Sequence, residues 1–96
     1  MVYDPGAIDA ALAAALGDEP QLIAELRCAF VESAQKALQV LEAADAEGWQ
    51  PAAFRLKGLA ASFGAVDLMA LSTAAAAAPT GDPVALAKLH EAIDAL

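Results

Sequence analysis

The stretch ALGDEPQLIAELRCAFVESAQKALQVLEAA (residues 15–44) carries the clearest structural signal in the chain. Its apolar residues recur in steps of three and four, which is the period of one face of an α-helix. Asp18 is typical of a helix N-cap, with Glu19 and Pro20 in the first turn. We predict a long helix that ends at Gly48, with an inward face of Leu22, Leu26, Phe30, Ala34, Ala37, Leu41 and Ala44.

Proline and glycine mark a helix on each side of this long one. Upstream, Asp4-Pro5 is a typical helix start and Gly17 a typical end, which predicts a short N-terminal helix. Downstream, Gln50-Pro51 begins a helix that runs to about Phe63, and Gly64 stops it.

Two more helices complete the chain. Asp67 belongs to the first turn of one, and Asp82-Pro83, at the end of the turn 79–83, opens the other. The same periodicity predicts their inward residues as Leu68, Leu71, Ala75 and Ala78 in the first, and Leu86, Leu89 and Ile93 in the second.

Length and composition agree with an all-α protein. The 96 residues are enough for a single domain, 1–96, and hydrophobic residues make up 59% of them, many of them alanine, the best helix former. Four helices of useful length with short links predict an antiparallel up-down-up-down four-helix bundle, with the short N-terminal helix added to it.

Charge and cysteine content argue against several classes of protein. A net charge of −8 without a basic stripe disfavours nucleic-acid binding, and the apolar runs are too short to span a membrane. The single Cys28 suits a reducing cytoplasm, and we expect it to be a small packing residue. The sequence shows no metal-ligand spacing and indicates no cofactor or small-molecule substrate.

The stretch AAFRLKGLAASFGA (residues 52–65) places an aromatic residue on the wrong side of its helix. At about 100° per residue, Phe54 lies almost opposite the predicted core sector, and Gly58 lies one turn later on the same side. A glycine inside a helix costs about 1 kcal/mol relative to alanine, so an open surface is its expected benefit. The core sector contains Ala52, Leu56, Leu59 and Phe63, edged by Ala53 and Ala60; the outer face contains Phe54, Lys57, Gly58 and Ala61, flanked by Arg55 and Ser62.

This stretch resembles the signature of histidine-containing phosphotransfer (HPt) domains, small four-helix bundles that pass phosphoryl groups to and from receiver domains. The signature is roughly His-x-Leu-Lys-Gly-Ser-Ser/Ala-x-x-x-Gly-Ala. Leu56, Lys57 and Gly58 match it in register, as do Gly64 and Ala65. Residues 15–44 and 66–96 are similar to the family's helices before and after the signature, so the resemblance covers nearly the whole chain.

The resemblance fails at the phosphoacceptor. The place of the family's exposed histidine is held by Phe54, and Leu59 holds that of the neighbouring serine. A phenyl ring has no nitrogen lone pair and cannot accept a phosphoryl group. The resemblance therefore implies a non-catalytic pseudo-HPt domain of cytoplasmic, bacterial two-component signalling. It would dock a response-regulator receiver domain through the face around Phe54.

Alternative functions remain open. The same face would also suit an inhibitor of a histidine kinase, bound to its helical dimerisation domain, and the helix pattern alone fits a structural or dimerisation bundle. His90, the only histidine, is expected to be a half-buried packing residue rather than a substitute phosphoacceptor. Antiparallel packing suggests that Lys36 and Gln39 of the long helix contribute to the docking face.

Overall fold

Four helices make up the part of the chain that the structure describes. This computed structural model describes residues 19–96, which contain no β-strand. The predicted all-α fold is confirmed. The helix predicted between Asp4-Pro5 and Gly17 lies outside the described residues, as does Asp18. The N-cap of the first described helix is Glu19, so the prediction that Asp18 caps it is wrong. The helices are α1 (Pro20–Ala43), α2 (Trp49–Ser62), α3 (Val66–Ala77) and α4 (Pro83–Asp94).

Helix α1 ends earlier than predicted. It stops at Ala43, and Gly48 is instead the N-cap of α2, so the prediction that Gly48 ends α1 is wrong. The reason lies in the intervening turn, where the side chain of Asp45 accepts a hydrogen bond from the Gly48 amide at 2.8 Å. The backbone carbonyl of Asp45 accepts another from the Trp49 amide at 2.9 Å, so α2 starts one residue before the predicted Gln50.

The remaining helix ends follow the sequence signals. Gly64 has a φ of 71°, the left-handed conformation that commonly ends a helix and that glycine adopts without steric cost. Asp67 lies in the first turn of α3. The Asp82 carboxylate accepts a hydrogen bond from the Ala85 amide at 2.9 Å and so caps α4.

Each described helix packs against its neighbours, and specific side-chain contacts join α1 to α2 and α2 to α3. The rings of Phe30 in α1 and Phe63 at the end of α2 stack with centroids 4.6 Å apart. The indole Nε1 of Trp49 in α2 donates to the Ala75 carbonyl of α3 at 2.8 Å. Helix α3 also contacts α4, and α4 contacts α1, so the helices are compatible with a four-helix bundle. The up-down-up-down order remains a prediction.

The core consists mostly of alanine and leucine. Leucine fills the space between the helices, and the small alanine side chain allows two helices to lie close together. The inward stripe of α1 is wrong at Leu22, which is 40% exposed and lies two turns before Phe30. Several predicted core residues are only half-buried: Leu26, Ala44, Leu59, Phe63, Leu71, Ala78 and Leu86. The buried residues that the pattern missed are Leu38, Trp49, Ala65, Ser72, Ala76 and Ala92.

Two further observations concern the exposure of Cys28 and the hydropathy of the helices. Cys28 is exposed, so the expectation that it packs in the interior is wrong. Between residues 19 and 96, none of the helices combines the length and the apolar character needed to span a membrane.

Candidate docking face on helix α2

Phe54 lies on the outer side of α2 with half of its surface exposed. It is 51% exposed, whereas Leu56, two residues later, is completely buried. Two residues correspond to about 200° of rotation, so the aromatic ring lies on the side opposite the core. This confirms the exposure that the sequence pattern predicted. We call the surface formed by Phe54, Arg55, Lys57, Gly58, Ala61 and Ser62 the Phe54 face.

Gly58 leaves this surface open. A Cβ atom built at Gly58 would meet no atom within 4 Å, other than those of its own helix backbone and chain neighbours. Ser62 lies one turn later, where its hydroxyl donates a hydrogen bond to the Gly58 carbonyl at 3.0 Å. Ala61 and Ser62 are both exposed, so no larger side chain of α2 covers the surface beyond the ring.

The Phe54 face is locally basic on an acidic protein. Helix α2 contains Arg55 and Lys57 and no acidic residue, although the whole chain has a net charge of −8. Arg55 is exposed and Lys57 is half-buried. Neither of them forms an ion pair in the described part of the chain. Both cations are thus available to an acidic partner.

The two residues expected from α1 are neighbours on its exposed side, three residues or about 60° apart. Lys36 and Gln39 are both exposed. Gln39 lies about one turn before Glu42, which pairs with His90 and therefore marks the side of α1 that faces α4. Lys36 lies one turn before Val40, at the edge of this exposed side that is farther from Glu42 and α4.

Val40 is a surface residue that the sequence analysis missed. It is 51% exposed, as much as Phe54. The signal was present in the helix period, because Val40 lies outside the stripe that contains Ala37 and Leu41. It was not predicted because an apolar stripe identifies only the inward-facing residues of a helix.

His90 does not lie where it was predicted. Its side chain is 51% exposed, so it is not a half-buried packing residue. Its Nε2 pairs with the Glu42 carboxylate, so Glu42 is one half of a contact between α1 and α4 and not simply a solvated side chain. Among the described residues, no three or more His, Cys, Asp or Glu side chains gather as metal ligands would.

Comparison with known proteins adds no relative. No family model matches the chain, and neither a curated protein nor a solved structure does so. The resemblance to HPt domains therefore stays a prediction that rests on the sequence motif.

Proposed function

We propose that this protein is a non-catalytic, HPt-like binding module of two-component signalling that docks a receiver domain through its Phe54 face. The observation that carries the proposal is the 51% exposed Phe54 ring beside the open position of Gly58. Nothing in the described fold requires either residue at its position. A binding surface supplies a reason for both.

Phe54 has the properties of an anchor residue. Complete burial of a phenylalanine side chain contributes about 1.5–3 kcal/mol, and central aromatic residues often dominate the energy of protein interfaces. Since half of the ring is already covered, a partner would gain only part of that amount. Arg55 and Lys57 flank the ring and would add electrostatic attraction, which mainly raises the association rate.

The role that follows is competition or sequestration. A module that occupies a receiver without offering a phosphoacceptor would exclude true HPt domains from it. It would thereby lower the rate of phosphoryl transfer in proportion to its concentration. The protein needs no cofactor and no chemistry of its own for this role.

The proposal is tested by titrating the isotope-labelled protein with isolated receiver domains while amide chemical shifts are recorded. Shifts concentrated in residues 54–62 are expected. Phe54→Ala should weaken binding about tenfold, which corresponds to about 1.4 kcal/mol. Val84→Ala is a matched control, because Val84 is 60% exposed but lies on α4.

The same titration separates the alternatives. Binding to a histidine kinase dimerisation domain, with no response to any receiver, would favour the inhibitor function. Self-association that does not depend on Phe54, with no response to either partner, would leave a structural bundle. An unchanged dissociation constant for Phe54→Ala would contradict docking through this face.

A further inference from the structure

The exposed apolar surface extends beyond α2 onto α1. Phe30 stacks on Phe63, and the linker 44–48 joins the other ends of the same two helices. Residues between these two points must therefore pair in opposite order along the chain. Val40, ten residues after Phe30, comes level with Ala53, ten residues before Phe63. It consequently lies within one helical turn of the height of Phe54.

Val40 also lies on the side of α1 that faces α2. Glu42 marks the opposite side, because its carboxylate pairs with His90 of α4. Val40 precedes Glu42 by two residues and so lies about 200° from it, on the other flank of the buried stripe of α1. Since α1 packs mainly against α2 and α4, the flank away from α4 is the one next to α2. The exposed Pro51 lies three residues before Phe54 and has no backbone N–H to be satisfied. Val40, Pro51 and Phe54 thus form an apolar strip that crosses from α1 to α2.

Cations line this strip. Lys36 lies one turn before Val40, and Arg55 and Lys57 follow Phe54. These are three of the five Lys and Arg residues of the chain. The carboxylate nearest in sequence to Lys36 is that of Glu32, one turn earlier on α1, and α2 contributes none. Asp45 and Glu47 are exposed in the linker at the end of the strip, so its positive rim is the α2 side, where the helix contributes Arg55 and Lys57 and no carboxylate.

We infer that this strip binds an acidic protein surface that offers an apolar recess, and that Val40 and Pro51 of this chain are contact residues together with Phe54. The inference rests on the proposed function, since it concerns an enlarged version of the same face. It adds to that proposal the acidic and apolar character of the partner surface and two further contact residues, Val40 and Pro51. Opposite charge at the rim should speed association and suppress binding to basic partners.

The inference is tested without a natural partner, by titration with the acidic peptide Asp-Glu-Leu-Trp-Glu-Asp. Changes in amide chemical shift are expected at residues 36–40 and 51–58. The peptide is added up to about 5 mM, so that a dissociation constant in the millimolar range can be measured. The shift changes should shrink when NaCl rises from about 0.1 M to about 1 M, because the screening length falls from about 10 Å to about 3 Å. The basic peptide Lys-Lys-Leu-Trp-Lys-Lys should give no shifts there.

Matched variants make the test specific. Val40→Ala and Arg55→Gln should each weaken peptide binding about threefold or more. Val84→Ala and Lys88→Gln change an exposed valine and an exposed cation on α4, and should leave binding unchanged. The inference is overturned by absent shifts, by shifts spread evenly over the surface, or by a Val40→Ala variant that binds like the original protein.

This test can fail independently of the proposed function. If the peptide binds the strip but no receiver does, the inference stands and the receiver proposal fails. If receivers bind through Phe54 while the peptide does not bind and Val40→Ala has no effect on the receiver, the inference fails and the receiver proposal stands.

Discussion

The two faces of α2 differ in what holds their residues in place. On the inner face, Trp49, Ala53 and Leu56 are at most 2% exposed, and the Trp49 indole is hydrogen-bonded to α3. On the outer face, the Phe54 ring is half exposed, and Gly58 has open space beside it. Both faces belong to one continuous helix, so the difference arises from side chains and not from backbone structure.

The comparison separates stability from binding. Each inner residue is explained by what it contacts within the fold. On the outer face, Gly58 is unfavourable to the fold, since an interior glycine weakens a helix, and it has open space beside it. A residue that costs stability and touches nothing needs a reason outside the folded chain. Substitutions on the two faces should therefore have opposite consequences.

The largest effect is expected from Trp49→Ala on the inner face. The free energy of unfolding should fall by about 3–5 kcal/mol, because the change removes a large buried side chain and leaves a cavity between α2 and α3. Urea unfolding followed by circular dichroism measures this, since the variant lacks the only tryptophan. A loss below about 1 kcal/mol would contradict the buried position of the indole.

A smaller loss of stability is expected from Gly64→Ala, just beyond the end of α2. The φ of 71° at Gly64 puts any residue with a Cβ in the left-handed region, at a cost of about 1–2 kcal/mol. Urea unfolding followed by Trp49 fluorescence gives the value. No loss at all would mean that the helix can end in another conformation.

The sequence predicted the fold and the exposed side of α2 because both depend on helical period. A repeat of three and four residues identifies which side chains share a face, and this was sufficient to place Phe54 and Gly58 outside and Leu56 inside. Helix caps with local hydrogen bonds, such as Asp82 with the Ala85 amide, were equally predictable. These features need no knowledge of the neighbouring helices.

Three of the misses depend on interactions between elements. Trp49 was overlooked because α2 was expected to start after it, and its buried indole donates a hydrogen bond to a carbonyl 26 residues away. His90 was misplaced because its partner Glu42 belongs to another helix. The apolar strip required the register of α1 against α2, which only the contact between Phe30 and Phe63 supplies.

A change of the opposite sign is expected at Gly58, which lies inside α2 and not beyond its end. Gly58→Ala should raise the free energy of unfolding by about 0.5–1 kcal/mol, because alanine is the better helix former and its methyl group meets no neighbour. The same urea titration measures it. Destabilisation would show that the outer face is covered by a segment that the added methyl group disturbs.

The smallest effect on stability, and the sharpest test of the comparison, is expected from Phe54→Ala. A substitution on an exposed surface usually changes the free energy of unfolding by no more than about 0.5 kcal/mol. Phe30→Ala is the matched control, since Phe30 is 1% exposed and its loss should cost about 3–5 kcal/mol. If Phe54→Ala were as costly as Phe30→Ala, the ring would be part of the core and the outer face would have no function left to explain. If the variant instead folds with unchanged stability but no longer binds a receiver, the aromatic ring serves only the partner, which is the division between the two faces that the structure predicts.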